Sequence, residues 1–262
     1  MLDLWLLIIF GFFIGIIASM TGVGGGIFIV PILTFLYGFA VTQDATGTSL
    51  TTIIFTAIAS AINYARQKRI YYKTGISLIA TTAPGALLGS WVATHVIKSR
   101  ELALIFGFFL IFVSIRMMIS LLRTKAKDKT QTAKTDFELI KSGRAFGIGV
   151  GLSFFGGFAS GLLGIGGGTL VVPIMATIIG MPIHIATATS MFTMIFTSIV
   201  GDITYYQSNN INLQVALLLA AGTIFGAQVG AYTSKKISGR NLSLIFSIVL
   251  MLAGINMIIK NV

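Results

Sequence analysis

The chain has 262 residues, 55% of them apolar and 10% charged, where a soluble domain carries about 25% charged residues. A soluble fold is excluded, and the absence of cysteine excludes disulfides and thiol catalysis. The two histidines, His95 and His184, lie too far apart in sequence to suggest a zinc or haem site, and no metal or cofactor is expected. The net charge of +11 fits cytoplasmic loops of a membrane protein and not nucleic-acid binding.

Along the chain, apolar segments cover 4–19, 25–38, 46–65, 75–96 and 102–122, then 144–163, 167–180, 184–206, 212–233 and 241–259. The first is preceded only by Asp3, with no basic region and no small-residue cleavage site, and reads as mature protein. Most of the others approach the length needed to cross a hydrocarbon core of roughly 30 Å. The segments 25–38 and 167–180 are exceptions, since the residues of 25–38 reach only about 21 Å as a helix. Between the fifth and sixth segments, residues 123–143 are polar and Lys-rich. They read as a cytoplasmic linker between two membrane repeats, 1–122 and 144–262.

The repeats are visible in the residues. Gly22-Val23-Gly24-Gly25-Gly26 matches Gly164-Ile165-Gly166-Gly167-Gly168, and Pro31 falls on Pro173. After a one-residue slip, Ala45-Thr46-x-Thr48-Ser49 meets Ala186-Thr187-x-Thr189-Ser190, Tyr64 meets Tyr205, and Gly85 and Gly89 meet Gly226 and Gly230. After another, Arg100 meets Arg240. Duplication of this kind is common in secondary transporters.

Two topologies are compatible with each first pair of segments. A single broken helix gives eight spans and parallel halves; a hairpin at the glycines gives an odd count per half and inverted halves. The hairpin collects Arg66, Lys68, Arg69, Lys73, the seven basic residues from Arg123 to Arg144, and Lys235, Lys236 and Arg240 on one side. Lys98, Arg100 and Lys260 remain on the other. This division follows the positive-inside rule better than the eight-span alternative, so the hairpin is favoured, with both termini outside. The expected fold is an all-α integral membrane protein of two inverted repeats. Each has a broken or hairpin first helix pair and three further transmembrane helices.

Adjacent glycines weaken a helix by about 1 kcal/mol each relative to Ala, and in lipid the released N–H groups need partners. Close helix packing accounts for Gly11 and Gly15, or Gly85 and Gly89, but a packing motif does not need a run of glycines. An unwound turn at a helix N-terminus accounts for the run, and such a terminus favours anions. Gly22, Gly24, Gly25, Gly26, Gly164, Gly166, Gly167 and Gly168 are therefore candidate substrate-binding positions. No P-loop or dinucleotide motif follows them. Thr46, Thr48, Ser49, Thr187, Thr189 and Ser190 open the next helices with hydroxyl donors suited to oxyanions; helix capping and bonding back to helix carbonyls is the competing role. Gln228, inside 212–233, is a candidate for substrate or interhelical hydrogen bonding. Asp202 is an intramembrane acid, a candidate for proton coupling, and has Ala61 as its counterpart in the first half. Asp44 and His184 read as caps or interfacial residues, Trp91, Tyr71 and Tyr72 as interface anchors, and Arg116 as snorkelling to the cytoplasmic side. No nucleophile–base pair stands out, so an enzyme is not expected.

At G-V-G-G-G-I-F-I-V-P-I-L (22–33) and G-I-G-G-G-T-L-V-V-P-I-M (164–175) the chain resembles the TauE/SafE family of sulfite exporters and related permeases. The A-T-x-T-S segments, A-P-G-A-L-L-G at 83–89 and R-x-L-x-x-x-F at 100–106 and 240–246 add to the resemblance, which covers nearly the whole chain. It implies secondary transport of a small anion, such as sulfite, an organosulfonate or a related sulfur compound, across the cell membrane. An anion channel and a permease for a small carboxylate are the alternatives. The partners expected are the small anion and the lipid bilayer, with a homodimer left open and no nucleic acid.

Overall fold

In lipid a backbone must satisfy its own polar groups, which restricts an apolar chain of this kind to helices. A computed structural model describes residues 5–39, 41–123, 143–234, 248, 251–252 and 254–259, and among these there is no strand. The helices are α1 (Leu6–Thr21), α2 (Gly26–Phe35), α3 (Thr42–Arg66), α4 (Tyr72–His95), α5 (Ser99–Arg123), α6 (Gly143–Leu163), α7 (Gly168–Pro173), α8 (Ile183–Gln207) and α9 (Leu213–Thr233). Five of them, α3, α4, α6, α8 and α9, are long and apolar enough to cross a membrane. The linker residues 124–142, most of the segment 241–259 and the side chain of Arg116 lie outside the described residues.

Small residues set the helix pairs. The backbone of α1 lies against that of α9 where Ile8, Phe12 and Ile16 oppose Gly222, Gly226 and Gly230. The backbone of α4 lies against α6 where Thr82 and Ala86 oppose Gly157 and Gly161. A Cβ at any of these glycines would overlap a carbonyl of the facing helix, the small-residue contact that lets membrane helices approach closely. The packing assigned to Gly11, Gly15, Gly85 and Gly89 is thus observed.

The same pairs fix direction. Residue numbers rise together along α1 and α9, and along α3 and α9 (Thr52 with Ala216, Thr56 with Thr223, Gln67 with Ala231). They also rise together along α4 and α6, and along α4 and α8 (Thr82 with Thr197, Ser90 with Thr204). Along α3 and α8 they oppose, with Gly47 at Tyr205 and Thr51 at Asp202. So α1, α3 and α9 run one way, and α4, α6 and α8 run the other. Because α1 and α3 are parallel, α2 must turn back between them. The first pair is a hairpin, and a broken helix continuing in one direction is ruled out. The bundle then has one end bearing Arg66, Lys68, Arg69, Lys73 and Arg144, and another bearing Asp44, Lys98, Arg100, Glu101 and, one turn in, Asp202.

The two hairpins differ in one respect. After Pro173 the backbone passes into a π-helical turn, Ile174–Ile179, whereas α2 stays α-helical through Pro31. Proline has no N–H to give and crowds the preceding carbonyl, and a wider turn is one local response.

Candidate functional site

Each break turns on glycines in the left-handed region: Gly22, Gly24 and Gly25 have φ of 76°, 91° and 88°, and Gly164, Gly166 and Gly167 have 66°, 81° and 76°. A Cβ is strained there, so the run of glycines is a backbone requirement. The left-handed Gly22 closes α1 by donating its N–H to the carbonyl of Ala18 at 2.9 Å, and Gly164 closes α6 on Ser160 at 2.8 Å.

The two breaks meet inside the bundle. A Cβ on Gly26 would overlap the Gly164 carbonyl, and one on Gly168 would overlap the Gly22 carbonyl. The long helices that follow the hairpins lock this crossing reciprocally. Ser49 Oγ donates to the Gly164 carbonyl at 2.8 Å, and Ser190 Oγ donates to the Gly22 carbonyl at 2.9 Å. Thr46 packs on Gly164 and Thr187 on Gly22. Thr48 Oγ1 accepts the Asn212 N–H and Thr189 Oγ1 accepts the Tyr71 N–H, both at 3.0 Å. Deeper in, Thr56 bonds Thr223 at 2.8 Å while Thr82 and Thr197 share a bond of 2.9 Å. Every one of these links joins the first half of the chain to the second.

Hydroxyls and glycines of the two sequence-derived sets therefore come together, but the hydroxyls mostly face protein. Thr46 also bonds back to the Thr42 carbonyl, as threonines on apolar helices commonly do. The open donors are on the backbone. Among the described residues, the four N–H groups from Gly24 to Ile27 and the four from Gly166 to Thr169 make no hydrogen bond. They begin α2 and α7, where orphan N–H groups and the helix dipole favour negative charge. Ile53 and Met194, equivalent positions of the two repeats, lie over this crossing and approach both Gly24 and Gly166.

Three buried hydroxyls near or beyond the break were missed by the sequence reading. Ser160 Oγ, Thr169 Oγ1 and Ser198 Oγ have no hydrogen-bond partner. Ser160 packs against Gly167, and Thr169 is the second residue of α7. A signal existed: by the repeat alignment their counterparts are Ala18, Ile27 and Ala57, so each departs from the duplication toward polarity.

Gln228 is elsewhere. It is exposed on α9 and borders a cavity of about 280 Å³ with Asn63, Arg66 and apolar residues of α3, away from the glycines. Asp202 Oδ2 accepts from Thr51 Oγ1 at 2.8 Å. Asp44 Oδ1 accepts from Asn210 Nδ2 at 2.6 Å, so this acid ties the start of α3 to the loop before α9. Trp91 and Tyr72 are about half exposed, at 50% and 49%, as interface anchors would be. Arg69, in the α3–α4 loop, donates to Gln67 Oε1 and to Ser234 Oγ at 3.1 Å each; burial pulls its pKa below the ordinary guanidinium value.

Long apolar helices around two hairpins define a multi-pass helical membrane protein. Comparison makes this particular: residues 7–257 match the family model "Sulfite exporter TauE/SafE", and the chain belongs to that family. It is 33% identical to "Probable membrane transporter protein YunE" of Bacillus subtilis, over 98% of both chains. A protein of Methanocaldococcus jannaschii named as a membrane transporter in the same terms is 32% identical, over 97% of this chain and 95% of its own. One from Haemophilus influenzae is 27% identical over 97% and 98%. No solved structure gives a significant match.

Proposed function

We propose that the protein is a secondary transporter that binds a small anion at the crossed breaks, in the class of sulfite, organosulfonates and related sulfur compounds. The observation that carries this reading is the double set of unpaired N–H groups at the starts of α2 and α7. They lie where two helix N-termini meet, with no charged side chain among residues 22–26 or 164–168. Backbone donors and partial dipole charge suit an anion that must also leave. Ser160 and Thr169 would add hydroxyl donors on the second-repeat side. The opposed helix directions support reading the halves as inverted repeats, residues 1–122 and 144–262. Movement between such halves gives alternating access around a fixed site. The end bearing Arg66, Lys68, Arg69 and Lys73 is assigned to the cytoplasm. This is transport chemistry, not catalysis.

Flux into proteoliposomes of sulfite, a small sulfonate, sulfate and small carboxylates tests the reading. Saturable uptake of sulfite or the sulfonate is expected, with KM raised several-fold by Thr169→Val and by Ser160→Ala. Non-saturable flux would favour a channel, and preference for carboxylates would move the substrate class. No flux of any of the four would remove the reading.

A further inference from the structure

The polar departures from the repeat do not stop at the break. On α8, Met194, Ser198 and Asp202 are spaced four residues apart and so share one face. Met194 touches the glycines of both breaks, with its sulfur 2.7 Å from a Cβ built on Gly24. One turn on, Ser198 Oγ is buried without a partner. One turn further, Asp202 borders a cavity of about 450 Å³ together with Thr51, Tyr206, Gln207, Asn209, Ile211 and Leu213. The equivalent face of α3 is Ile53, Ala57 and Ala61, all buried and apolar. Polar side chains thus follow Met194 from the breaks toward the Asp44 end of the bundle, whereas the equivalent positions of α3 are apolar.

Asp202 carries an incomplete set of partners. Its Oδ2 accepts from Thr51, while its Oδ1 is buried and has none. A carboxylate in that state, inside an apolar bundle, calls for a positive charge. Among the described residues no Lys or Arg pairs with it, and no group of three acidic or histidine side chains is placed to hold a metal ion. The other titratable groups on the packed elements at this end are Asp44, Tyr205, Tyr206 and His95. On α3, Asp44 is bound to Asn210. On α8, the Tyr205 hydroxyl donates to the Gly161 carbonyl, and Tyr206 lines the cavity. On α4, His95 stacks on Trp91 and bonds to Thr94. The span α1 and the hairpin arm α7 contain no charged residue, and the charge of α6, Arg144, lies at the opposite end. A proton satisfies one open carboxylate oxygen without needing further ligands.

We propose that Asp202 is the proton-carrying group of the transport cycle. A proton from water in the 450 Å³ cavity bonds to a carboxylate oxygen and neutralises the side chain; its release re-forms the carboxylate. Ser198 lies between this carboxyl and the breaks, so the charge state at Asp202 is sensed where the anion binds. The inference rests on the transport reading above.

The test is anion flux in proteoliposomes with and without an imposed pH gradient, using sulfite, a sulfonate, sulfate and small carboxylates as probes. Wild type is expected to respond several-fold to the gradient. Asp202→Asn, which keeps the size and the acceptor for Thr51, is expected to retain anion exchange at zero gradient and to lose that response. Gradient-driven flux that survives in Asp202→Asn, or wild-type flux indifferent to the gradient, overturns the proton role alone. No wild-type flux of any probe overturns the transport reading and the proton role with it. If Asp202→Asn does not purify as a monodisperse protein, Thr51→Val serves instead. Removing the donor that favours the charged form is expected to move the pH of half-maximal flux upward, and an unchanged profile overturns the proposal.

Discussion

Replacing Ser49 by alanine removes the hydroxyl that holds the Gly164 carbonyl, 115 residues away in sequence. Ser49 is 0% exposed, so water does not enter to replace the bond. Leaving a buried acceptor unpaired costs about 1–3 kcal/mol, and interhelical bonds in membranes measure toward the lower part of that range. A loss of about 1–2 kcal/mol is expected for Ser49→Ala. Ser190→Ala is expected to cost less, because Ser190 shares its proton between the Gly22 carbonyl at 2.9 Å and the Thr187 carbonyl at 2.8 Å. The control is Ser153→Ala. Ser153 is equally buried, but its hydroxyl bonds back to Gly149 four residues earlier at 2.8 Å, a carbonyl already held within its own helix. Reversible unfolding from mixed micelles, read by circular dichroism, gives the three values. The reasoning fails if Ser49→Ala is no more destabilising than Ser153→Ala.

Three further outcomes follow from the same geometry. Gly168→Ala is expected to be severely destabilising, because its Cβ overlaps the Gly22 carbonyl, whereas Gly151→Ala, with open space around it, is expected to be neutral; expression and monodispersity on gel filtration separate them. Thr56→Val and Thr223→Val are expected to be non-additive by about 0.5–1.5 kcal/mol in a double-mutant cycle, since Thr56 Oγ1 donates to Thr223 Oγ1 at 2.8 Å, and additivity would contradict the pairing. Gln228→Ala is expected to leave anion KM within about two-fold of wild type, since the residue borders a separate cavity; that two-fold bound is about 0.4 kcal/mol at 1.4 kcal/mol per tenfold.

Much of this arrangement was legible in the sequence because duplication and charge report on topology directly. The basic residues around 66–73 and near the linker marked one end of the bundle and favoured the hairpin, and the parallel course of α1 and α3 agrees. What lay opposite each helix was not legible. Spacing puts Ser49 and Ser190 on a face of their own helix but does not say that the carbonyl of the other repeat's break faces them. For the same reason Gln228 was grouped with the site, although the face of α9 that carries it turns away from the breaks. The π-turn after Pro173 has no counterpart after Pro31, so the proline alone does not predict it. Ser160, Thr169 and Ser198 were hidden in apolar runs, and only comparison with Ala18, Ile27 and Ala57 exposes them.

The reciprocal bonds constrain how such a bundle can move. Ser49 belongs to one repeat and holds the break of the other, and Ser190 does the reverse. A hairpin that shifts with its own repeat must release a serine of the opposite repeat, and by the pseudo-symmetry of the links the partner hairpin faces the same requirement. Two such releases at about 2–4 kcal/mol together would hold a shifted conformation to roughly 0.1–3% of the population. An anion that pairs with the open N–H groups in one arrangement better than in the other can shift that balance; one that binds both equally cannot. In the transport cycle proposed above, the crossed serines would tie movement of either half to the state of the shared break. Ser190 keeps its bond to the Thr187 carbonyl when it releases Gly22, so the two directions differ in cost, and the polar face at Asp202 adds a further difference between the halves.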